Sequence, residues 1–212
     1  FLSEAHRKRW GKDSPLLVKF IDAHDTLSLQ VHPSLEEKNL GDGKSGKWEA
    51  WYILHAEKGA GIFLGLKEAV TKEALERSLL RGNIEDCLNF VEVKAGETYI
   101  IDPGRLHAIG AGVCVLEPQI VEPKCSGLTL RLWDWGRKYD EYGSLSENGK
   151  PRTLHNEEAL RTIDFCDTPK HEPEIIAPHL HWPLEIKANI IASQKELFCV
   201  CLQGQGVHRL RM

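Results

Sequence analysis

Short apolar segments with a two-residue repeat recur along this chain, and turns rich in glycine and proline separate them. Thr129–Trp135 alternates strictly. Leu130, Leu132 and Asp134 fall on one side, and Thr129, Arg131, Trp133 and Trp135 on the other. In Lys47–Leu54, Lys47, Glu49 and Trp51 share one side, while Trp48, Ala50 and Tyr52 share the other. Leu27, Leu29 and Val31 alternate with Ser28, Gln30 and His32, and Pro33 then ends the run because it has no ladder donor. A period of two is the mark of a strand whose faces meet different surroundings. Pro15–Ile21 is instead a continuous apolar run of strand length, which predicts a buried strand.

Turn signals suggest how these strands connect. Glu57–Gly61 predicts a hairpin between the strand at 47–54 and Gly61–Gly65. Lys94–Glu97 predicts another, between Phe90–Val93 and Thr98–Ile101. Ala108–Gln119 reads as strand with Gly110 and Gly112 inside it. A helical repeat intrudes once. In Thr71–Leu80, Leu75 and Leu79 share a face, Thr71 can cap the start, and Gly82 stops the helix. Asn83 is placed to cap a second short helix through Leu88. Many short strands with one helical insert at about 71–88 make an all-β sandwich or barrel.

The remaining segments are less regular. Residues 1–14 read as a helix end or loop, with His6–Arg9 as a solvated basic face. Residues 136–156 form a long polar loop, and 157–165 a short helix. Residues 1–165 are then one domain, 166–183 a proline-bearing linker or crossover, and 184–212 the start of a second, truncated unit with a turn at 204–206. The sequence begins at Phe1 and stops at Met212 directly after a strand-like stretch, which reads as a segment of a longer protein.

Charge and cysteine usage narrow the function. A net charge of −4 and a pI near 6.2 argue against a nucleic-acid or acidic-membrane partner. No apolar run reaches the ~18 residues of a membrane-crossing helix, and no signal-peptide pattern is present. The six cysteines, at 87, 114, 125, 166, 199 and 201, lack C-x-x-C spacing and read as small buried thiols of a reduced, cytoplasmic protein.

Gln30 and His32 lie one residue apart on one strand face, a spacing that lets two side chains grip one metal ion. An ordinary strand turns the same pair to water. Glu49 lies on a strand after one loop, and His107 follows the tight turn at Asp102-Pro-Gly104. An amide, two imidazoles and a carboxylate make a ligand set for Zn²⁺ or a similar divalent ion, if they converge. His179-Leu-His181 repeats the spacing but reads as surface histidines, and Cys199-x-Cys201 reads as core. Trp48, Trp51, Trp133 and Trp135 flank the candidate strands and either wall a sugar pocket or pack the core.

Leu27–Pro33, Lys47–Leu54, Pro103–Gly110 and Leu130–Arg137 occur in this order, and together they resemble type I mannose-6-phosphate isomerases, zinc-dependent cupin enzymes. The likeness runs from about Pro15 to Phe165. Gly96, Gly104 and His107 also match the cupin spacing of a glycine eleven residues, and another three, before a metal histidine. The resemblance implies a cupin jelly roll with zinc on Gln30, His32, Glu49 and His107. It places the family's active-site arginine at Arg131, and Lys47, on the same strand face as Glu49, is a candidate for a further positive contact. It also implies a phosphosugar substrate and interconversion of mannose 6-phosphate and fructose 6-phosphate through an enediol. Glu117 and Asp134 are candidates for the base that this reaction needs. Leu130 stands where the family usually has tyrosine, and Glu117–Gly127 is longer than the commonest form. A sugar-binding cupin without catalysis and a cupin oxygenase stay open, though the glutamine ligand and Arg131 favour the isomerase over an iron site of two histidines and one carboxylate.

Overall fold

A computed structural model describes residues 3–167 and the backbone of three short strands beyond them. The strands are β1 Leu16–Ala23, β2 Leu29–Val31, β3 Lys44–Ser45, β4 Lys47–Ala56, β5 Gly61–Leu66, β6 Leu88–Glu92 and β7 Glu97–Ile101. They continue with β8 His107–Ile109, β9 Val113–Val121, β10 Ser126–Gly127, β11 Leu130–Trp133, β12 Ile175–Ile176, β13 Val200–Gln203 and β14 Gly206–Arg209. Among the described residues three α-helices accompany them: α1 Glu4–Trp10, α2 Lys72–Arg81 and α3 Asn156–Thr162.

Ten of these strands build two antiparallel sheets. The first runs in the order β1-β9-β4-β7-β12 and the second in the order β11-β2-β8-β5-β6. Trp51, Ile53, Tyr99, Ile101, Val113 and Val115 from the first pack against Ile62, Leu64 and Ile109 from the second. The alternation seen in the sequence is what allows this, because each strand turns one face inward. The outward face of the second sheet carries Leu29, Val31, Ala108, Leu130 and Leu132. Leu75 of α2, Ile84, Ala159 of α3 and Ile163 cover that face. The helical insert is therefore the lid of a second apolar layer. Thr71 caps α2 by accepting from the Ala74 N–H, and Gly82 closes it in the left-handed conformation at φ 73°, as expected. The segment after it is a 3-10 turn, Ile84–Cys87, in which Asn83 makes no side-chain cap and instead donates to Asp86 at 2.7 Å.

Both predicted hairpins are corrected. The turn at Glu57–Gly61 carries the chain from β4 in the first sheet to β5 in the second. The turn at Lys94–Glu97 carries it back, from β6 to β7. Strand β8 then lies in the second sheet and β9 in the first, so Ala108–Gln119 is not one strand. Crossing between layers at successive turns is the jelly-roll pattern. A glycine turn looks the same in a hairpin and in a crossover, because the choice of partner strand is made by distant residues.

The buried strand expected at Pro15–Ile21 is also corrected. Among the described residues strand β1 pairs with β9 alone and forms the sheet edge. Leu17, Val18 and Phe20 are 44%, 46% and 71% exposed. Of the described cysteines, Cys87 is buried, Cys114 and Cys125 are half-buried and Cys166 is exposed, and all four are free thiols. The side chains of the linker and of the last unit, including His179, His181, Cys199 and the turn at 204, lie outside the described residues.

Candidate metal centre

The candidate ligands come together because two strands of one sheet and one of the other end at the same place. In the second sheet, Gln30 stands opposite His107 on one side and Arg131 on the other. Antiparallel partners share a face, so His107, Gln30 and Arg131 form a row. His32 follows β2 directly. Glu49 rises from β4 of the facing sheet, in register with Ile101 and Gln119. Two backbone bonds staple the parts together. The Gly104 N–H donates to the His32 carbonyl at 2.9 Å, and the Lys47 N–H to the Pro33 carbonyl at 3.1 Å. Gly104 takes φ +83°, a region that favours glycine, and a Cβ there would press on Asp164 at 3.2 Å. The three separated motifs are thus held against one another through their main chains.

His32, Glu49 and His107 are all buried, and one ligand atom from each lies within 4.8 Å of the others. The two Nε2 atoms are 3.0 Å apart. Glu49 Oε1 is 3.3 Å from His32 Nε2, and Oε2 is 3.6 Å from His107 Nε2. The far side of each ring is engaged. His32 Nδ1 meets the Leu128 carbonyl at 3.1 Å, and His107 Nδ1 the Arg105 carbonyl at 2.8 Å. A carbonyl only accepts, so each Nδ1 carries the proton and each Nε2 presents a lone pair. Two lone pairs facing each other, beside a buried Glu49 Oε2 that has no hydrogen-bond partner among the described residues, form a pocket that a cation satisfies. The Trp51 ring packs edge-on to His107, with centroids 5.4 Å apart.

Electrostatics agree with this reading. Burial lowers the pKa of His32, and burial with the neighbouring His32 takes His107 down to about 3. Both rings are therefore neutral near pH 7, the form that binds metal. Burial alone would raise Glu49, but His32, Lys47 and His107 outweigh it and hold the carboxyl well below its usual range. Lys47 is the lasting cause, since the imidazoles are themselves neutral. Lys47 is 4% exposed, and its Nζ sits 2.6 Å from Glu49 Oε1.

The other predicted residues have definite places. Gln30 is half-buried beside His107. Arg131 donates from Nη1 to the Thr153 carbonyl at 3.0 Å, while its buried Nε has no hydrogen-bond partner among the described residues. Both base candidates are engaged. Burial would raise Asp134, but hydrogen bonds from Arg152 and Arg137 hold it below the usual carboxylate range. Glu117 accepts from Trp51, Gln119 and Lys19, and burial together with nearby Glu49 raises its pKa. Gln119 was not among the sequence candidates. Its signal is a second polar residue two positions after Glu117, on one face of an otherwise apolar strand.

Two facing antiparallel sheets around this cluster define a cupin jelly roll with a site fit for a metal ion. The chain is 37% identical over 162 residues to a mannose-6-phosphate isomerase of Streptococcus mutans, covering 74% of this chain and 48% of that protein. It is 38% identical over 174 residues to the mannose-6-phosphate isomerase ManA of Bacillus subtilis, covering 80% and 51%. The crystal structure of a mannose 6-phosphate isomerase from Bacillus subtilis superposes with a TM-score of 0.62 at 30% identity, over 79% of this chain and 51% of that one. A zinc-bound mannose 6-phosphate isomerase shares the fold at 17% identity and a TM-score of 0.51, over 79% of this chain and 57% of that one. No family model matches the chain. By sequence and by fold the chain is a homologue of the mannose-6-phosphate isomerases, and it spans about half the length of the curated relatives it matches.

Proposed function

We propose that this chain carries the metal and substrate machinery of a zinc-dependent aldose–ketose isomerase that interconverts mannose 6-phosphate and fructose 6-phosphate. The observation that carries the reading is the buried His32–Glu49–His107 cluster, with both Nδ1 atoms engaged and Glu49 Oε2 without a hydrogen-bond partner. Two imidazoles and a carboxylate form a zinc-type donor set, with Gln30 as the fourth ligand. The names of the relatives supply the substrate, and zinc is the metal in a protein of the same fold.

Isomerisation moves a proton between C1 and C2 of the sugar through an enediol, so charge develops on two oxygens. A bound divalent ion supplies Lewis acidity toward the carbonyl oxygen. His32, Glu49 and His107, with Gln30, would hold that ion. Lys47 keeps a fixed positive charge beside it. Arg131, always charged, supplies a planar guanidinium for the developing oxyanion. The paired sheets exclude water from the ligands, which strengthens each of these interactions. We read residues 1–165 as the catalytic domain and the reducing cytoplasm as its setting.

The test is a coupled assay that reads fructose 6-phosphate formed from mannose 6-phosphate by the purified chain. Turnover should vanish with a chelator and return with zinc. Turnover that survives complete metal removal contradicts the reading. Zinc binding without turnover would reject the isomerase and leave a sugar-binding cupin.

A further inference from the structure

Beyond the ligands runs a chain of buried polar side chains that the isomerase reading leaves unused. Gln119, on β9 beside Glu49, is 2% exposed. Its Nε2 donates to Glu49 Oε1 and, at 2.8 Å, to Glu117 Oε2. Glu117 is itself 3% exposed. It takes the Trp51 indole N–H on Oε1 at 3.1 Å and the Lys19 ammonium near Oε2 at 3.1 Å. Lys19 lies on the edge strand β1 with its side chain 42% exposed, so the chain runs from the cluster to the rim of the sandwich.

The amide can stand only one way. Both of its neighbours here are carboxylates, which accept, so the nitrogen must face them and spend both of its hydrogens on them. Glu49 Oε1 then accepts from Gln119 and from the Lys47 ammonium, which is 2.6 Å away. Oε1 also stands 3.3 Å from His32 Nε2, so it faces the cluster too, but two donors already occupy its two lone pairs. The other oxygen, Oε2, has no hydrogen-bond partner and lies 3.6 Å from His107 Nε2.

We infer that Gln119 is a positioning residue for the metal site. Clamped by Glu117, it ties down Glu49 Oε1 so that Glu49 meets the ion through Oε2 alone. The carboxylate is thereby kept from turning to grip with both oxygens, and a coordination position is kept for substrate. This inference rests on the metal-site reading above. A neutral amide suits the task because it adds no charge between two carboxylates, and buried polar groups of this kind persist only when every donor is used. Groups that hold a ligand from behind change metal affinity by ~10–100-fold when removed.

The experiment compares the wild-type chain with Gln119→Leu and Glu117→Gln. Zinc affinity is read by competition with a chromophoric chelator. Ligand geometry is read from the visible absorption of the cobalt-substituted protein, and thermal unfolding of the metal-free protein reports the fold. Gln119→Leu should weaken zinc by ~10–100-fold and alter the cobalt spectrum. Glu117→Gln keeps the volume but turns one of the two accepting oxygens into an N–H donor, which loosens the clamp on the Gln119 amide, so it should weaken zinc by a smaller factor than Gln119→Leu. A purely structural role would lower the unfolding temperature and leave both metal readouts at wild type, which overturns the inference. If Gln119→Leu fails to fold, Glu117→Gln decides, and unchanged affinity in it overturns the inference. A wild-type chain that binds no zinc rejects the metal-site reading itself. Binding that is unchanged in both variants rejects only the role of Gln119.

Discussion

Replacing Lys47 with methionine removes a buried ammonium and keeps most of the side-chain volume. Lys47 is 4% exposed, and its Nζ is 2.6 Å from Glu49 Oε1. At that separation the Coulomb attraction is ~6 kcal/mol with an effective dielectric of ~20. Relief of the ammonium's desolvation returns part of this. Removing one partner of a buried pair in general costs ~3–5 kcal/mol, because the other charge is left uncompensated. For a chain of this size that is a fall of ~6–20 °C in the unfolding temperature of the metal-free protein. Zinc should reverse the order of effects. A divalent ion compensates Glu49 directly, and Lys47 repels that ion, so Lys47→Met should bind zinc more tightly than wild type. The gap between metal-free and zinc-loaded unfolding temperatures should therefore widen in the variant. Differential scanning calorimetry of both proteins, with chelator and with excess zinc, reads all four values. An unchanged metal-free unfolding temperature, or a gap no wider than that of wild type, would refute the reasoning.

Other expectations follow from the same geometry. His32 and His107 are held neutral in the fold while an unfolded histidine titrates near its ordinary value, so the unfolded chain binds more protons on the acid side of that value. Stability of the metal-free protein is then fully present above pH ~6.5 and lost as pH falls toward about 3, the folded value of His107. Glu49, whose folded pKa is also depressed, adds loss in the same direction, and a flat unfolding temperature between pH 7 and 4.5 would contradict this. In protein that turns over, Arg131→Ala and Arg131→Lys should each lower kcat by ~10²–10³-fold without changing zinc content. A rise in KM alone, in steady-state kinetics, would make Arg131 a ground-state anchor. Leu132, fully buried between the second sheet and its helical cover, should cost ~2–5 kcal/mol when cut to alanine, as read by denaturant titration.

Much of the site could be read from the chain because strands have an exact period. The placement of Lys47, Glu49 and Trp51 on one face follows from spacing alone, and the structure keeps it. The cap at Thr71 and the stop at Gly82 are equally local. What could not be read is non-local. Whether Glu57–Gly61 closes a hairpin or changes sheets depends on which strands lie alongside β5, and these come from residues 88–92 and 107–109. The run Pro15–Ile21 looks fit for burial on both faces, yet its exposure is set by what stands next to it. The spacing of Glu117 and Gln119 marks two polar residues on one strand face, but what they face is non-local, since Glu49 opposite Gln119 comes from another strand.

The most direct test is crystallographic. Crystals of the zinc-loaded chain, measured on both sides of the zinc absorption edge, locate the ion without reference to any assumed ligand. The account predicts one anomalous peak at ~2.0–2.2 Å from His32 Nε2, His107 Nε2 and Glu49 Oε2, and loss of that peak in His32→Ala. A peak elsewhere, or none at this cluster in protein that holds one zinc per chain, would contradict it.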